Sequence, residues 1–151
     1  MDELKPGLAN DLTVTVSDNM TASHLGSGAV AVLATPYLIA LMEKASLQVV
    51  APYLAQGQST VGTMVNIRHL AATPLSMDVR IHSELTAVDG RRLTFKVEAY
   101  DAAEKVGEGV HERFIIDLAR FEERLKRKRL PGRSSCHNLL TAPRDCVIFV
   151  T

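Results

Sequence analysis

One long segment of this chain has helical periodicity, and it stands among segments that alternate with a period of two. In TPYLIALMEKASLQVV, from Thr35 to Val50, apolar residues recur at steps of three and four, the spacing of a buried helical stripe. The stripe consists of Leu38, Leu41, Met42, Ala45 and Val49. Thr35 is a favoured N-cap type, Pro36 is a favoured first helical residue, and Pro52 predicts that the helix ends just before it. The helix is then about five turns, or roughly 27 Å, long.

The segments on either side of the helix have the alternation of β-strands. One strand precedes it, where Leu12, Val14 and Val16 alternate with threonines. The segments that follow the helix are 59–69, 77–88, 92–100 and 105–118. Asp89-Gly90, between two of them, predicts a tight hairpin turn. This order predicts an α+β fold in which one long helix covers a mostly antiparallel sheet.

Strict alternation also assigns faces along the strand Ser59–His69. It places Val61 with Val65 on one face and Gly62 with Met64 on the other. A single helix covers only one face of such a sheet, so the other face and the edge strands need cover from elsewhere. That requirement favours a homodimer.

Charge and composition bear on the class of protein. Seventeen basic and seventeen acidic residues balance, which gives no reason to expect nucleic acid or a membrane as a partner. The acidic, polar N-terminus MDELKPGLAND does not resemble a signal peptide, and no apolar run approaches the length of a membrane span. The two cysteines, Cys136 and Cys146, form neither a disulfide framework nor a metal cluster, so a reducing cytoplasm is the expected compartment.

The C-terminal part differs in composition from the rest. Pro131-Gly132 predicts a boundary, so that residues 1–129 form the domain and residues 130–151 a tail of unknown role. Just before this boundary, Phe121 to Arg129 reads FEERLKRKR and ends strongly basic. Two interpretations of the basic segment stay open: a solvated helical extension, or a contact with the phosphates of an acidic ligand.

Two side chains are candidates for acid–base chemistry. Glu43 puts a carboxylate at the margin of the buried stripe, and His69 ends a long strand. The pattern alone favours a water-exposed Glu43 and a structural His69, with catalytic roles as the alternative. The remaining histidines, which have no better spacing, are His24, His82, His111 and His137. No His-x-x-x-His or Cys-x-x-Cys pair is present, so no metal site is expected, and without a Gly-x-Ser-x-Gly elbow an α/β-hydrolase is excluded.

Several motifs at consistent spacing resemble one family. HLGSGAVAVLATPYLIALMEKAS, APYLAQGQSTVGTMVNIRHLAATP, VDGRRLTFKVEAYD and GEGVHERFIID are similar to the hotdog-fold acyl-CoA thioesterases of the fluoroacetyl-CoA thioesterase type. The resemblance implies a hotdog fold, in which a curved antiparallel sheet wraps one long central helix. It also implies an acyl-CoA substrate, no cofactor beyond the coenzyme A of that substrate, and a homodimer with two active sites at its interface. Pairing of dimers into tetramers stays open.

The resemblance also implies the site residues. Thr35, Glu43 and His69 would be catalytic, Gly62 would hold the thioester carbonyl with its backbone N–H, and Arg113 would contact the acyl or pantetheine portion. A thioester is already activated, so its hydrolysis needs a positioned base or nucleophile and a donor for the oxyanion. Glu43 is expected to attack or to activate water, and His69 to donate a proton or orient that water. Thr35 would hold Glu43 or the carbonyl with its hydroxyl.

The chain departs from the family in the segment before the helix. The best-known members have a longer, phenylalanine-rich lid there, whereas this chain has only HLGSGAVAVL, which is small and not aromatic. A short- or medium-chain acyl-CoA is therefore expected as the substrate rather than fluoroacetyl-CoA. Two other functions stay open: a hotdog dehydratase or hydratase, and a protein that binds acyl-CoA without hydrolysing it.

Overall fold

The long helix is present as predicted. In the computed structural model, which describes residues 3–129, it is α2, Thr35–Val50, and its predicted stripe is buried. A 3₁₀ turn, Ala51–Tyr53, follows, so the helix ends before Pro52 as expected. The predicted N-cap is wrong by one residue, because Ala34, with extended backbone, is the N-cap and Thr35 is the first helical residue. The Thr35 hydroxyl is therefore not used to cap the helix.

Five strands form one antiparallel sheet, and α2 lies on one face of it. They are β1 (Ala9–Thr15), β2 (Gln58–His69), β3 (Asp78–Asp89), β4 (Arg92–Tyr100) and β5 (Lys105–Asp117). Their order in the sheet is β1-β3-β4-β5-β2, so β1 and β2 are the edge strands. The core between α2 and the inner strands includes the fully buried Ile81, Leu85, Leu93, Phe95 and Val97. The prediction of an α+β fold with one long helix on an antiparallel sheet is confirmed.

A bulge in β2 changes which residues face the helix. The strand pairs with β5 in one register up to Gly62 and in a shifted register from Met64, which leaves Thr63 as an extra residue. The predicted alternation is therefore wrong across this point. Gly62 and His69 are seven positions apart, so strict alternation would put them on opposite faces of the sheet. Both nevertheless lie against α2, because Gly62 is next to Glu43 and His69 is hydrogen-bonded to Thr35.

The connections around the sheet are short. The β3–β4 hairpin turns at Gly90-Arg91, because Asp89 already pairs with Arg92, and Gly90 has the positive φ of 57° that such a turn requires. The predicted turn residues, Asp89-Gly90, are thus off by one. The Gly-rich segment before α2 begins with a short helix, α1 (Ala22–Leu25).

The basic end of the described chain is a helix, α3 (Leu118–Arg129), in which no residue is buried. It therefore has the form of the solvated extension. A groove of about 480 Å³ beside it is lined by Arg120, Arg124 and Arg127, and a phosphate contact there stays a prediction. The predicted boundary at Pro131-Gly132 and the tail lie outside the described residues.

Candidate active site

The predicted residues Thr35 and His69 meet at the N-terminus of α2. Thr35 Oγ1 lies 2.8 Å from His69 Nδ1, which joins the first residue of the helix to the last residue of β2 by a hydrogen bond. This bond is possible because the hydroxyl does not cap the helix. The other ring nitrogen of His69, Nε2, is buried and has no hydrogen-bond partner within residues 3–129. One nitrogen is oriented by a hydroxyl and the other is unpaired, which suits an imidazole that acts on a bound ligand.

Burial sets the protonation state of His69. It lowers the pKa of His69 below the ordinary value, and the backbone of Ala71 opposes part of that shift. The imidazole is therefore neutral near pH 7, where it can accept a proton or orient a water but is poorly suited to donate a proton. Of the two roles expected for His69, this favours the orientation of water.

A cleft of about 530 Å³ opens beside the Thr35–His69 pair, and both residues line it. Its volume lies within the range of ligand pockets, about 300–1,000 Å³. The other walls come from the segment before α2 and from residues that follow β2. Most of these side chains are small, among them Ala22, Ser27, Ala34, Ala71 and Ala72.

Glu43 lies further along α2, directly over a glycine of β2. A Cβ built on Gly62 would collide with Glu43 Oε1 and would lie 3.2 Å from His111 Cε1, so glycine permits the carboxylate to approach the strand this closely. The Glu43 side chain is 40% exposed. Its carboxylate makes no hydrogen bond within the described part of the chain. Glu43 is thus accessible, and its lone pairs are free.

Arg113 lies beneath Glu43 and is buried. Its Nε donates to Thr60 Oγ1 at 2.8 Å, and its Nη2 donates to the Thr60 backbone oxygen at 2.9 Å. Its Nη1 lies 3.2 Å from His111 Nε2 and 3.4 Å from the backbone oxygen of Glu43. Every nitrogen of the guanidinium is therefore within reach of a protein acceptor, and a contact between Arg113 and the substrate stays a prediction.

The structure brings the predicted residues together in two groups. Thr35 and His69 form the first, and Glu43, Gly62 and Arg113 form the second. Eight positions of α2 separate Thr35 from Glu43, which is about 12 Å along the helix axis. The Thr35 hydroxyl bonds to His69 and not to Glu43, and the residues that line the cleft do not include Glu43.

Sequence reasoning did not single out His111, which faces Glu43 from β5. Its Nε2 is 3.9 Å from Glu43 Oε1, and its side chain is 1% exposed. A signal was available, because His111 stands two residues before Arg113, and residues two apart on a strand face the same side.

Within residues 3–129, no group of three or more His, Cys, Asp or Glu side chains could hold a metal ion. No helix in the same range is long and apolar enough to cross a bilayer.

The fold agrees with solved structures of thioesterases. The structure of the fluoroacetyl-CoA thioesterase FlK superposes with a TM-score of 0.80 at 34% identity, covering 86% of this chain and 100% of that one. A thioesterase-superfamily protein of Thermus thermophilus gives a TM-score of 0.78 at 29% identity, covering 85% and 95%. The fold and these likenesses define the class as a hotdog-fold acyl-CoA thioesterase.

Sequence comparison narrows the class to one family. Residues 16–119 match the family described as fluoroacetyl-CoA-specific thioesterase. The fluoroacetyl-CoA thioesterase of Streptantibioticus cattleyicolor is 40% identical over 101 residues, which is 67% of this chain and 73% of that protein. This chain belongs to the fluoroacetyl-CoA-specific thioesterase family, and the resemblance in its motifs is confirmed.

Proposed function

We propose that this protein hydrolyses short- or medium-chain acyl-CoA thioesters to free acid and coenzyme A, with Thr35, Glu43 and His69 as its catalytic residues. The observation that carries the proposal is the 2.8 Å hydrogen bond between Thr35 and His69 at the wall of a ligand-sized cleft, with a buried and unpaired Nε2 beside it. A protein that only binds acyl-CoA has no need of an oriented neutral imidazole and an unpaired carboxylate.

The proposed chemistry uses water as the nucleophile. Glu43 takes a proton from a water molecule while the water oxygen bonds to the carbonyl carbon of the thioester. Neutral His69, held by Thr35, orients this water. The carbonyl oxygen becomes an oxyanion, which the backbone N–H of Gly62 stabilises. The C–S bond then breaks, and the sulfur of coenzyme A takes the proton from Glu43, which restores the carboxylate. Direct attack by Glu43 is the alternative route.

The complete site is proposed to lie between two copies of the chain. Within one chain, Thr35 and Glu43 are about 12 Å apart along α2, so Glu43 of one copy is proposed to act with the Thr35–His69 pair of the other. Strand β2 is an edge strand, and Val65 on it is 40% exposed. Two β2 strands paired antiparallel about an axis between Val65 and Asn66 would place Gly62 opposite His69 of the partner subunit, because the two positions are equally far from that axis. Glu43, over Gly62, would then approach the partner's Thr35–His69 pair.

The segment before α2 sets the proposed substrate range. The relative from Streptantibioticus cattleyicolor is named for fluoroacetyl-CoA. Here the wall of the cleft before α2 is not aromatic and includes the small side chains of Ala22, Ser27 and Ala34. Small walls leave room for methylene groups and cannot enclose a two-carbon acyl group closely. An ordinary acyl chain longer than acetyl is therefore the proposed substrate.

The setting of the enzyme belongs to the same proposal. A homodimer is proposed because the composite site requires two copies, and whether dimers pair into tetramers is left open. The proposed reaction uses no cofactor, since coenzyme A is part of the substrate. The balance of seventeen basic and seventeen acidic residues supports action without a nucleic-acid or membrane partner, and the absence of a cysteine framework supports action in the cytoplasm.

A panel of acyl-CoA thioesters tests the function. We expect thiol release, measured with a thiol reagent, to be fastest for unsubstituted short or medium acyl chains and slower for fluoroacetyl-CoA. Binding without thiol release would leave only the carrier function. Addition of water to an enoyl-CoA, with no thiol released, would indicate a hydratase and contradict the proposal.

The pH dependence of kcat/KM reports on His69. Because burial lowers its pKa, His69 stays neutral to a lower pH than a free imidazole. We expect activity to fall only as the pH drops below the ordinary histidine value of about 6.5. In His69→Asn, the residual activity should lose that limb. A limb that persists unchanged in this variant would assign the titration to another group.

A further inference from the structure

His111 is enclosed by groups that fix its chemistry. It lies on β5 with 1% of its surface exposed, and its ring stacks on Phe95 of β4 with 6.2 Å between centroids. Its Nδ1 is 2.8 Å from the backbone oxygen of Met64, in the bulged strand β2. Its Nε2 is 3.2 Å from Arg113 Nη1 and 3.9 Å from Glu43 Oε1.

These partners permit one protonation state. A carbonyl oxygen only accepts, so Nδ1 must carry a proton and donate it to Met64. A guanidinium only donates, so Nε2 must be the unprotonated acceptor of Arg113. His111 is therefore the neutral Nδ1–H tautomer. Burial lowers the pKa of His111 and the charge of Arg113 adds to this, while the Met64 carbonyl and the charges of Glu43 and Glu112 oppose the shift.

The neutral tautomer leaves the carboxylate of Glu43 unpaired. Nε2 has no proton to offer Oε1, so the 3.9 Å approach is not an ion pair. Nε2 also binds Nη1 of Arg113, whose further contact is with the backbone oxygen of Glu43 rather than with the carboxylate. A carboxylate that is already hydrogen-bonded to a cation has less tendency to take a proton. Because neither His111 nor Arg113 donates a hydrogen bond to the carboxylate, Glu43 remains available as a base.

We propose that His111 is a positioning residue for Glu43: its unprotonated Nε2 binds Arg113 and keeps the guanidinium from pairing with the carboxylate. The inference rests on the proposed function, because it assigns His111 to the same reaction. Two charged groups face His111, Glu43 from α2 and Arg113 from β5, and the charge of Glu112, the next residue of β5, acts on it from the other side of the sheet. Strands β2 and β4 contribute an uncharged carbonyl and a phenyl ring.

Two substitutions separate positioning from packing. His111→Phe keeps a planar ring against Phe95 but removes the acceptor for Arg113, which becomes free to pair with Glu43. We expect kcat to fall about tenfold or more while KM changes about twofold at most, since only the reacting group is affected. His111→Gln offers an amide oxygen to Arg113 and an amide N–H to Met64, and it should recover most of the lost kcat.

Side-chain ¹⁵N NMR of the full-length wild-type protein gives a second readout that does not depend on turnover. At pH 7 it should show His111 with a protonated Nδ1 and an unprotonated Nε2.

The matched controls for the two substitutions at His111 are His82→Phe and His82→Gln, because His82 lies on β3 and bonds to Asp11 outside the site. These controls should leave kcat unchanged.

The two proposals fail in different ways. A wild-type protein that releases no thiol from any acyl-CoA would refute the proposed function. An active wild type with an unchanged kcat in folded His111→Phe, or an NMR spectrum with a proton on Nε2, would overturn the role of His111. If His111→Phe does not fold, a His111→Gln variant with no more activity than His111→Ala would overturn it as well.

Discussion

Glu43→Gln should lower kcat for acyl-CoA hydrolysis by about 10²- to 10⁴-fold, the contribution expected of a general base. The amide keeps the size of the side chain but cannot take a proton from water. The fold should be unaffected, because the Glu43 carboxylate is 40% exposed and makes no hydrogen bond within the described residues. Glu122→Gln is the matched control, since Glu122 is another helical glutamate, on the exposed helix α3, and should retain full activity.

His69→Asn should be impaired to a similar extent, and the two variants together test whether the site is shared. In a composite site, a heterodimer of Glu43→Gln and His69→Asn has one site with both substitutions and one site with neither. The two chains can be co-expressed with different affinity tags and purified as the heterodimer. It should regain roughly half of the wild-type activity, one intact site out of two.

The homodimers of each variant are the controls for this experiment, and both should be nearly inactive. A site built within one chain would carry one substitution in every copy, so the heterodimer would remain as inactive as its parents. That result would contradict the pairing through β2 and would require Glu43 and His69 of one chain to act together across about 12 Å of helix.

The element order could be predicted because it depends on local periodicity. The apolar residues of α2 repeat at three and four positions, and those of the strands repeat at two. The secondary structure of each segment can therefore be predicted from its own residues. Family motifs then located Thr35, Glu43 and His69 by residue type and spacing. What the sequence could not provide was how these residues are grouped, which depends on how α2 crosses β2 in the folded chain.

The bulge at Thr63 is the clearest example. It arises from the shifted pairing of β2 with β5, and strict alternation within β2 contains no sign of it. Without it, Gly62 and His69 would face opposite sides of the sheet. The same shift places the Met64 backbone oxygen where His111 donates to it. Part of the candidate site is thus defined by strand register, a property of two strands and not of one.

Gly62→Ala should abolish most of the activity through a collision that only the folded structure shows. The new Cβ would overlap Glu43 Oε1 and lie 3.2 Å from His111 Cε1, so the carboxylate would have to turn away from β2. We expect kcat to fall about 100-fold, comparable to the loss of an oxyanion-hole donor, because both the base and the strand N–H are displaced. Stability should fall only modestly, since the end of the Glu43 side chain is flexible and partly exposed, whereas the buried ring of His111 must shift by a few tenths of an ångström.

Gly90→Ala, in the turn between β3 and β4, is the control outside the site. Gly90 has a φ of 57°, which disfavours any residue with a Cβ, and no other atom lies within 4 Å of the added Cβ, so this variant should lower the unfolding temperature and leave kcat per folded molecule intact. Gly62→Ala should have a smaller effect on kcat when added to Glu43→Gln than it has in the wild type, because the carboxylate is already lost and only the displacement of the strand N–H remains. Independent, multiplicative losses in the double variant would mean that Gly62 acts without Glu43, and the shared role of the two residues would be wrong.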